Sequence, residues 1–165
     1  MLRENLDIAF NHLLDLIPLS ESTTYGPLAK SSFRKTVIIY TASIIEGLLL
    51  YLLRQKCTED DLTIYKWELA KHHELYKVSE THYIIAGDYE KRPEKFKFEK
   101  LNLGNISKFL NDRSFISTEL YNKVDKVRLL RNEQHLGTHK EIKDYTKTDL
   151  EFVFSVAKDV KQLFS

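Results

Sequence analysis

The sequence predicts an all-α fold: a helical bundle of about five helices with a small β-hairpin insertion. Three observations lead there. Apolar residues recur at i, i+3 and i+4 along most of the chain, the period of a helix with one buried face. Glycine and proline are scarce, five and three in 165 residues, too few for the many tight turns of an all-β protein. Residues 36–53 form an apolar run broken by one charge, Glu46, which marks a helix covered on several sides.

Each element has its own signal. Residues 3–17 give the first helix, with Leu6, Ala9, Phe10, Leu13, Leu14 and Ile17 as its stripe. Pro18 is expected to stop it, because proline lacks the N–H that a helix interior needs. A Ser- and Thr-rich connector follows and ends in Gly26-Pro27. The second helix covers 28–55. Its length alone would allow a membrane span. Thr36, Thr41, Ser43 and the acid Glu46 argue instead for a buried central helix, with no membrane partner. A buried carboxylate there calls for a cation beside it, and Arg128, Arg131 and His135 are the candidates.

Residues 57–61 make a polar turn. A third helix is expected over 62–76, with Leu62, Tyr65, Leu69 and Tyr76 as its stripe, although Ile64 and Trp67 fall off it. The stretches 78–86 and 96–103 favour strands, and Gly87-Asp88 and Arg92-Pro93 punctuate the gap. They predict a hairpin insertion over about 77–103. Lys91, Arg92, Lys95, Lys97 and Lys100 lie among Glu90, Glu94 and Glu99. That mixture suits guarded edge strands better than a nucleic-acid stripe, and Tyr83, Tyr89, Phe96 and Phe98, which could stack on bases, are expected to pack along the strands instead.

A short helix over 105–111 turns Ile106, Phe109 and Leu110 inward and breaks at Asp112-Arg113-Ser114. Ser117 caps the next helix, which runs to His135 and stops at Gly137. After a polar loop, Thr148 and Glu151 form a capping box for a last helix whose core face carries Val153, Val156, Ala157, Val160 and Phe164. There is no repeat or linker, so residues 1–165 are expected to form a single domain.

The formal net charge of +1 excludes a global field that would recruit nucleic acid or membrane. The lone Cys57 excludes an internal disulfide and a cysteine-rich zinc site, and fits a reducing compartment. Acids near the start of the chain argue against a signal peptide, and the expected location is the cytoplasm. No phosphate-binding glycine loop, dinucleotide loop or nucleophile elbow occurs. His135 and His139 are separated by the expected stop at Gly137, and His72 and His73 are adjacent. Neither pair makes a metal site, so no metal and no cofactor are expected.

The functional signal lies in residues 124–137. On a helix, Leu120, Val124, Val127, Arg131 and His135 share one stripe, with Arg128 on its shoulder. Groups able to carry positive charge stand where the pattern predicts the interior, and leaving them there unpaired would cost several kcal/mol. They must meet a partner, a cleft or another subunit. Arg131 and His135 stand about 6 Å apart along the axis. A guanidinium fork and an imidazole so placed can grip one phosphodiester and move a proton near neutral pH. RNA carries its own nucleophile, the 2′-hydroxyl, so its cleavage needs no metal. The alternative is structural: Arg131 pairs with Glu46 and fixes the packing.

The run Leu129-Leu130-Arg131-Asn132-Glu133-Gln134-His135-Leu136-Gly137 resembles the signature of the HEPN superfamily. These are helical domains of toxins, phage-defence proteins and RNA-processing enzymes. That signature is an arginine, a polar residue and then a histidine near the end of a late core helix. Asn132 matches the polar position. Three residues separate Arg131 from His135, one fewer than the family's usual minimum of four. Six residues separate Arg128 from His135, within the family's range of four to six, but Leu129 stands at the polar position.

The resemblance implies a HEPN-like fold and a homodimer in which two signature helices line one cleft. It implies a metal-independent endoribonuclease of toxin or phage-defence type. His135 would be the acid/base, Arg131 and Arg128 would bind phosphate, Asn132 would orient a group, and Glu46 would support the site. It also implies RNA as ligand and an antitoxin or nucleotidyltransferase as partner. Family variants without activity serve as modules that bind RNA, a nucleotide or a protein.

Overall fold

The computed structural model describes residues 2–133 and 144–164. Its contacts divide the chain into two compact units, residues 1–56 with 101–165, and residues 57–100.

The first unit is helical: α1 (Leu2–Glu21), α2 (Pro27–Lys56), α3 (Leu103–Asp112), α4 (Thr118–Asn132) and α5 (Lys147–Gln162). α2 packs against each of the other four helices. Val37, Ile38, Ala42, Ile45, Leu49 and Leu53 are fully buried along it. Burying each large aliphatic side chain contributes about 1.5–3 kcal/mol, so this helix organises the core. It is long and apolar enough to cross a membrane by length and composition, and half of that apolar window is buried inside the protein. Its buried Thr41 hydroxyl donates to Val37 O at 2.8 Å, so that hydroxyl is satisfied within the helix.

α1 runs through Pro18 instead of stopping. Its C-terminal turn is tied down from outside. Ser20 Oγ donates to Ile17 O at 2.8 Å. Arg34 of α2 donates to Ser20 O and to Glu21 Oε1, each at 3.4 Å. These bonds offset the ladder bond that proline removes. Only part of the expected stripe is covered: Ala9 and Leu13 are buried, while Phe10 and Leu14 are 51% and 70% exposed.

Asn102 caps α3 by accepting from Asn105 N at 3.0 Å, and Ile106, Phe109 and Leu110 are buried as expected. Ser117 caps α4 by accepting from Leu120 N at 3.1 Å. The expected box at Thr148 and Glu151 is corrected to Thr146 and Asp149, two residues earlier. Thr146 N donates to Asp149 Oδ2 at 2.8 Å and Asp149 N donates to Thr146 Oγ1 at 3.2 Å. Both pairs have the right spacing, and the box forms where the chain still has extended φ and ψ before the helix.

The second unit corrects the all-α class: the fold is helix-rich but mixed. β1 (Thr63–Ser79) and β2 (His82–Lys95) form a two-stranded antiparallel ribbon, closed by the turn at Glu80 and Thr81. The expected helix over 62–76 is therefore strand β1. Thr63, Ile64, Tyr65 and Trp67 are strand formers, and Trp67, which falls off the helical stripe, takes its place between Tyr65 and Leu69 in a two-residue alternation. Residues 96–103 are not a strand. They hold a 3-10 turn, Phe98–Lys100, and the start of α3.

Gly87 is not a turn residue but sits inside β2, opposite His72. The register shifts between Leu69 and Lys71, so Ala70 is extra on β1 and the strand bulges. A Cβ on Gly87 would stand 2.3 Å from Lys71 O. Only glycine lets the two backbones close at that point. Tyr83 and Tyr89, expected to be packed, are 40% and 65% exposed.

Candidate functional site

α4 brings the predicted residues to its last two turns. Leu120, Val124 and Val127 are buried and anchor the stripe. One turn on, Arg131 follows the same stripe. Its Nη1 donates to Glu46 Oε2 at 2.5 Å. Glu46 lies on α2, so the pair joins α4 to the central helix. Both side chains are partly open, 35% and 22% exposed. Of the cations weighed for Glu46, the structure thus gives it Arg131. One nitrogen of Arg131 is engaged there, and a guanidinium has five N–H groups on three nitrogens.

Arg128 goes elsewhere. Its Nε donates to Asp125 Oδ1 at 2.7 Å, one turn back on the same helix. Gly104 of α3 lies beneath its stem, where an added Cβ would come within 3.2 Å of Arg128 Cδ. Glycine at that position lets α3 and α4 approach with the arginine between them. Asn132 is exposed. His135, the expected stop at Gly137 and His139 lie outside the described residues, as does the expected continuation of α4 beyond Glu133. His72 and His73 are on β1, where neighbours point to opposite faces. No group of three metal-ligating side chains occurs among the described residues.

Tyr145 is the functional-region residue the sequence did not reveal. It is fully buried. Its hydroxyl donates to Leu130 O at 3.3 Å, serving a carbonyl in the last turn of α4. Its backbone N donates to Ser31 Oγ at 2.8 Å, and its carbonyl accepts from Arg34 Nη1 at 3.2 Å. Tyr145, two residues before α5, is thereby fastened to α2 and to α4. Burial raises the phenol pKa above its usual value of 10.0, helped by the negative charges of Glu133 and Asp149. Only a lone aromatic in a polar stretch marked it, and that is a weak signal.

Two concavities lie in the helical unit. An open depression of about 330 Å³ between α4 and α5 is lined by Lys126, Leu129, Leu130, Glu133 and Phe152. A deeper apolar slot of about 520 Å³ lies between α1, α2 and α5, with Phe10, Leu13, Ile44 and Phe154 in its wall. Lys158 and Lys161 also line it.

Chemically, α4 holds two guanidinium groups, Arg128 and Arg131, each beside a carboxylate. His135 follows Arg131 four positions later in the sequence. No family model matches the chain, and neither a curated protein nor a solved structure does.

Proposed function

We propose that this protein is a HEPN-like, metal-independent endoribonuclease of toxin or phage-defence type that works as a homodimer in the cytoplasm. The observation that carries the reading is the Glu46–Arg131 pair. It holds a guanidinium in one orientation at the end of the helix whose signature continues to His135. His135 takes the proton of a 2′-hydroxyl. The oxygen attacks the adjacent phosphorus, and the P–O bond to the 5′-oxygen breaks as His135 returns its proton to that oxygen. Arg131 balances the charge that builds on the phosphoryl oxygens, Arg128 reaches the neighbouring phosphate, and Asn132 orients the strand. Leu129, on the same helix and 46% exposed, supports self-association along α4. An antitoxin or a nucleotidyltransferase is the expected protein partner.

The test is incubation of the protein with RNA in EDTA. Wild type should cleave and His135→Ala should not, while both keep the same light-scattering mass. Equal cleavage by the two would remove His135 from the chemistry.

A second reading has its own observations. Arg131 and Arg128 each face a carboxylate, and Arg131 stands close to His135 in sequence. A neutralised, short-spaced motif suits a module that binds RNA, a nucleotide or a protein without cutting. Binding to immobilised RNA with no cleavage, in EDTA or with magnesium, would select it.

A further inference from the structure

The ribbon sorts its side chains by face near its open end. Paired residues of an antiparallel ladder share a face, and alternate residues along a strand share it too. The pairs Tyr65–Pro93, Trp67–Lys91 and Leu69–Tyr89 therefore lie on one side, with Lys95 paired to Thr63 beyond them. The pairs Ile64–Glu94, Lys66–Arg92 and Glu68–Glu90 lie on the other.

The second face neutralises itself. Lys66 pairs with Glu94, and Arg92 pairs with Glu68 and Glu90. All the acids of this stretch are there. The first face has none. It presents Tyr65, Trp67 and Tyr89, 61%, 65% and 65% exposed, beside Lys91 and Lys95. Lys91 Nζ stands 5.7 Å from the Tyr65 ring centroid, and Lys95 meets the exposed Asp60 at 3.6 Å.

Three open aromatic rings carry a large desolvation gain that the ribbon itself leaves unused. The accompanying cations, with no carboxylate on the face's own strand residues and only Asp60 beside Lys95, make the face complementary to a polyanion with flat apolar groups. Single-stranded nucleic acid has that chemistry: bases for the rings and phosphates for the lysines. Tyr65 and Trp67 are two residues apart on a strand, about 6.8 Å. That is twice the rise per base of a stacked strand, about 3.4 Å, so the rings suit bases splayed apart and not a closed duplex. An acidic protein would satisfy the lysines but offer nothing flat to the rings.

We propose that this face of the ribbon binds single-stranded RNA by stacking bases on Tyr65, Trp67 and Tyr89, with Lys91 and Lys95 on the phosphates. The choice of RNA over DNA rests on the proposed function; the stacking face does not.

Trp67 is the only tryptophan in the chain, so its fluorescence reports this site alone. His135→Ala protein, used to keep the strand intact, is titrated with a twelve-nucleotide oligoadenylate, the matching DNA, the RNA annealed to its complement, and polyglutamate. The single-stranded RNA should quench Trp67, and Tyr65→Ala or Tyr89→Ala should each weaken binding about tenfold. Lys66→Ala, on the opposite face, should not. Two phosphate contacts predict that log K falls against log salt with a slope of about −1.4.

No quenching, equal quenching by the duplex, or quenching by polyglutamate to the same extent would overturn the proposal. Tighter binding of the DNA than of the RNA would overturn the choice of RNA. Quenching by RNA in a protein that never cleaves would leave this face standing and remove the nuclease. Cleavage by a wild type whose His135→Ala form shows no quenching would do the reverse.

Discussion

At the scale of single residues, two side chains decide how the end of α4 is held. Arg131 and Glu46 form a partly buried pair. Its worth lies between that of an exposed ion pair, about 0–1 kcal/mol, and the 3–5 kcal/mol lost when one partner of a buried pair is removed. A double-mutant cycle on Glu46→Gln and Arg131→Gln, read by urea unfolding, should give a coupling of about 1–2 kcal/mol. Additive effects would mean that the pair does not orient the arginine. Tyr145 supplies the second hold. Its raised pKa means that the folded state keeps a proton which the unfolded chain releases near pH 10. The stabilisation is therefore complete below about pH 10 and is lost as pH rises through the higher folded value. Between pH 9 and pH 11, wild type should lose more stability than Tyr145→Phe. At pH 7 that variant should be weaker by about 0.5–1.5 kcal/mol, the worth of one hydrogen bond. Parallel pH curves would show that the phenol is not responsible.

At the scale of elements, the cap of α5 gives a sharp test. Thr146→Ala should cost about 1 kcal/mol, and Thr148→Ala should cost a few tenths. The reverse order would put the box back where sequence spacing alone suggests it. This helix illustrates what the sequence carries. Its core face of Val153, Val156 and Val160 was legible, because burial imposes the helical period directly. Its start was not, because Thr146 and Thr148 both precede an acid at the right distance. The same ambiguity misled the reading of β1. Tyr65, Leu69 and Tyr76 fall near helical spacing, and only the β-branched and aromatic composition, with Ile64 and Trp67 out of place, favoured a strand. Pro18 forecast a helix end, but Arg34, fourteen residues beyond Ser20, secures the turn after the proline from another helix. In the candidate site, the need of Glu46 for a cation was legible from charge in an apolar run. The role of Tyr145 was not, since its bonds go to Ser31, Arg34 and Leu130, far away in sequence.

At the scale of the whole molecule, the chain divides its work between a helical unit built on α2 and a ribbon with few buried side chains. The helical unit supplies rigidity, and with it the fixed direction of Arg131. The ribbon supplies open aromatic surface. In the proposed account, both serve one substrate: the ribbon takes the strand, and the signature segment cuts it using the strand's own 2′-hydroxyl. The most direct test pairs two RNA oligonucleotides in EDTA, identical except for one 2′-deoxy substitution at the cleaved nucleotide. The account predicts a 2′,3′-cyclic phosphate end, read by mass spectrometry, from the all-ribose strand and none from the substituted one. Cleavage of both strands, or of neither, would contradict it.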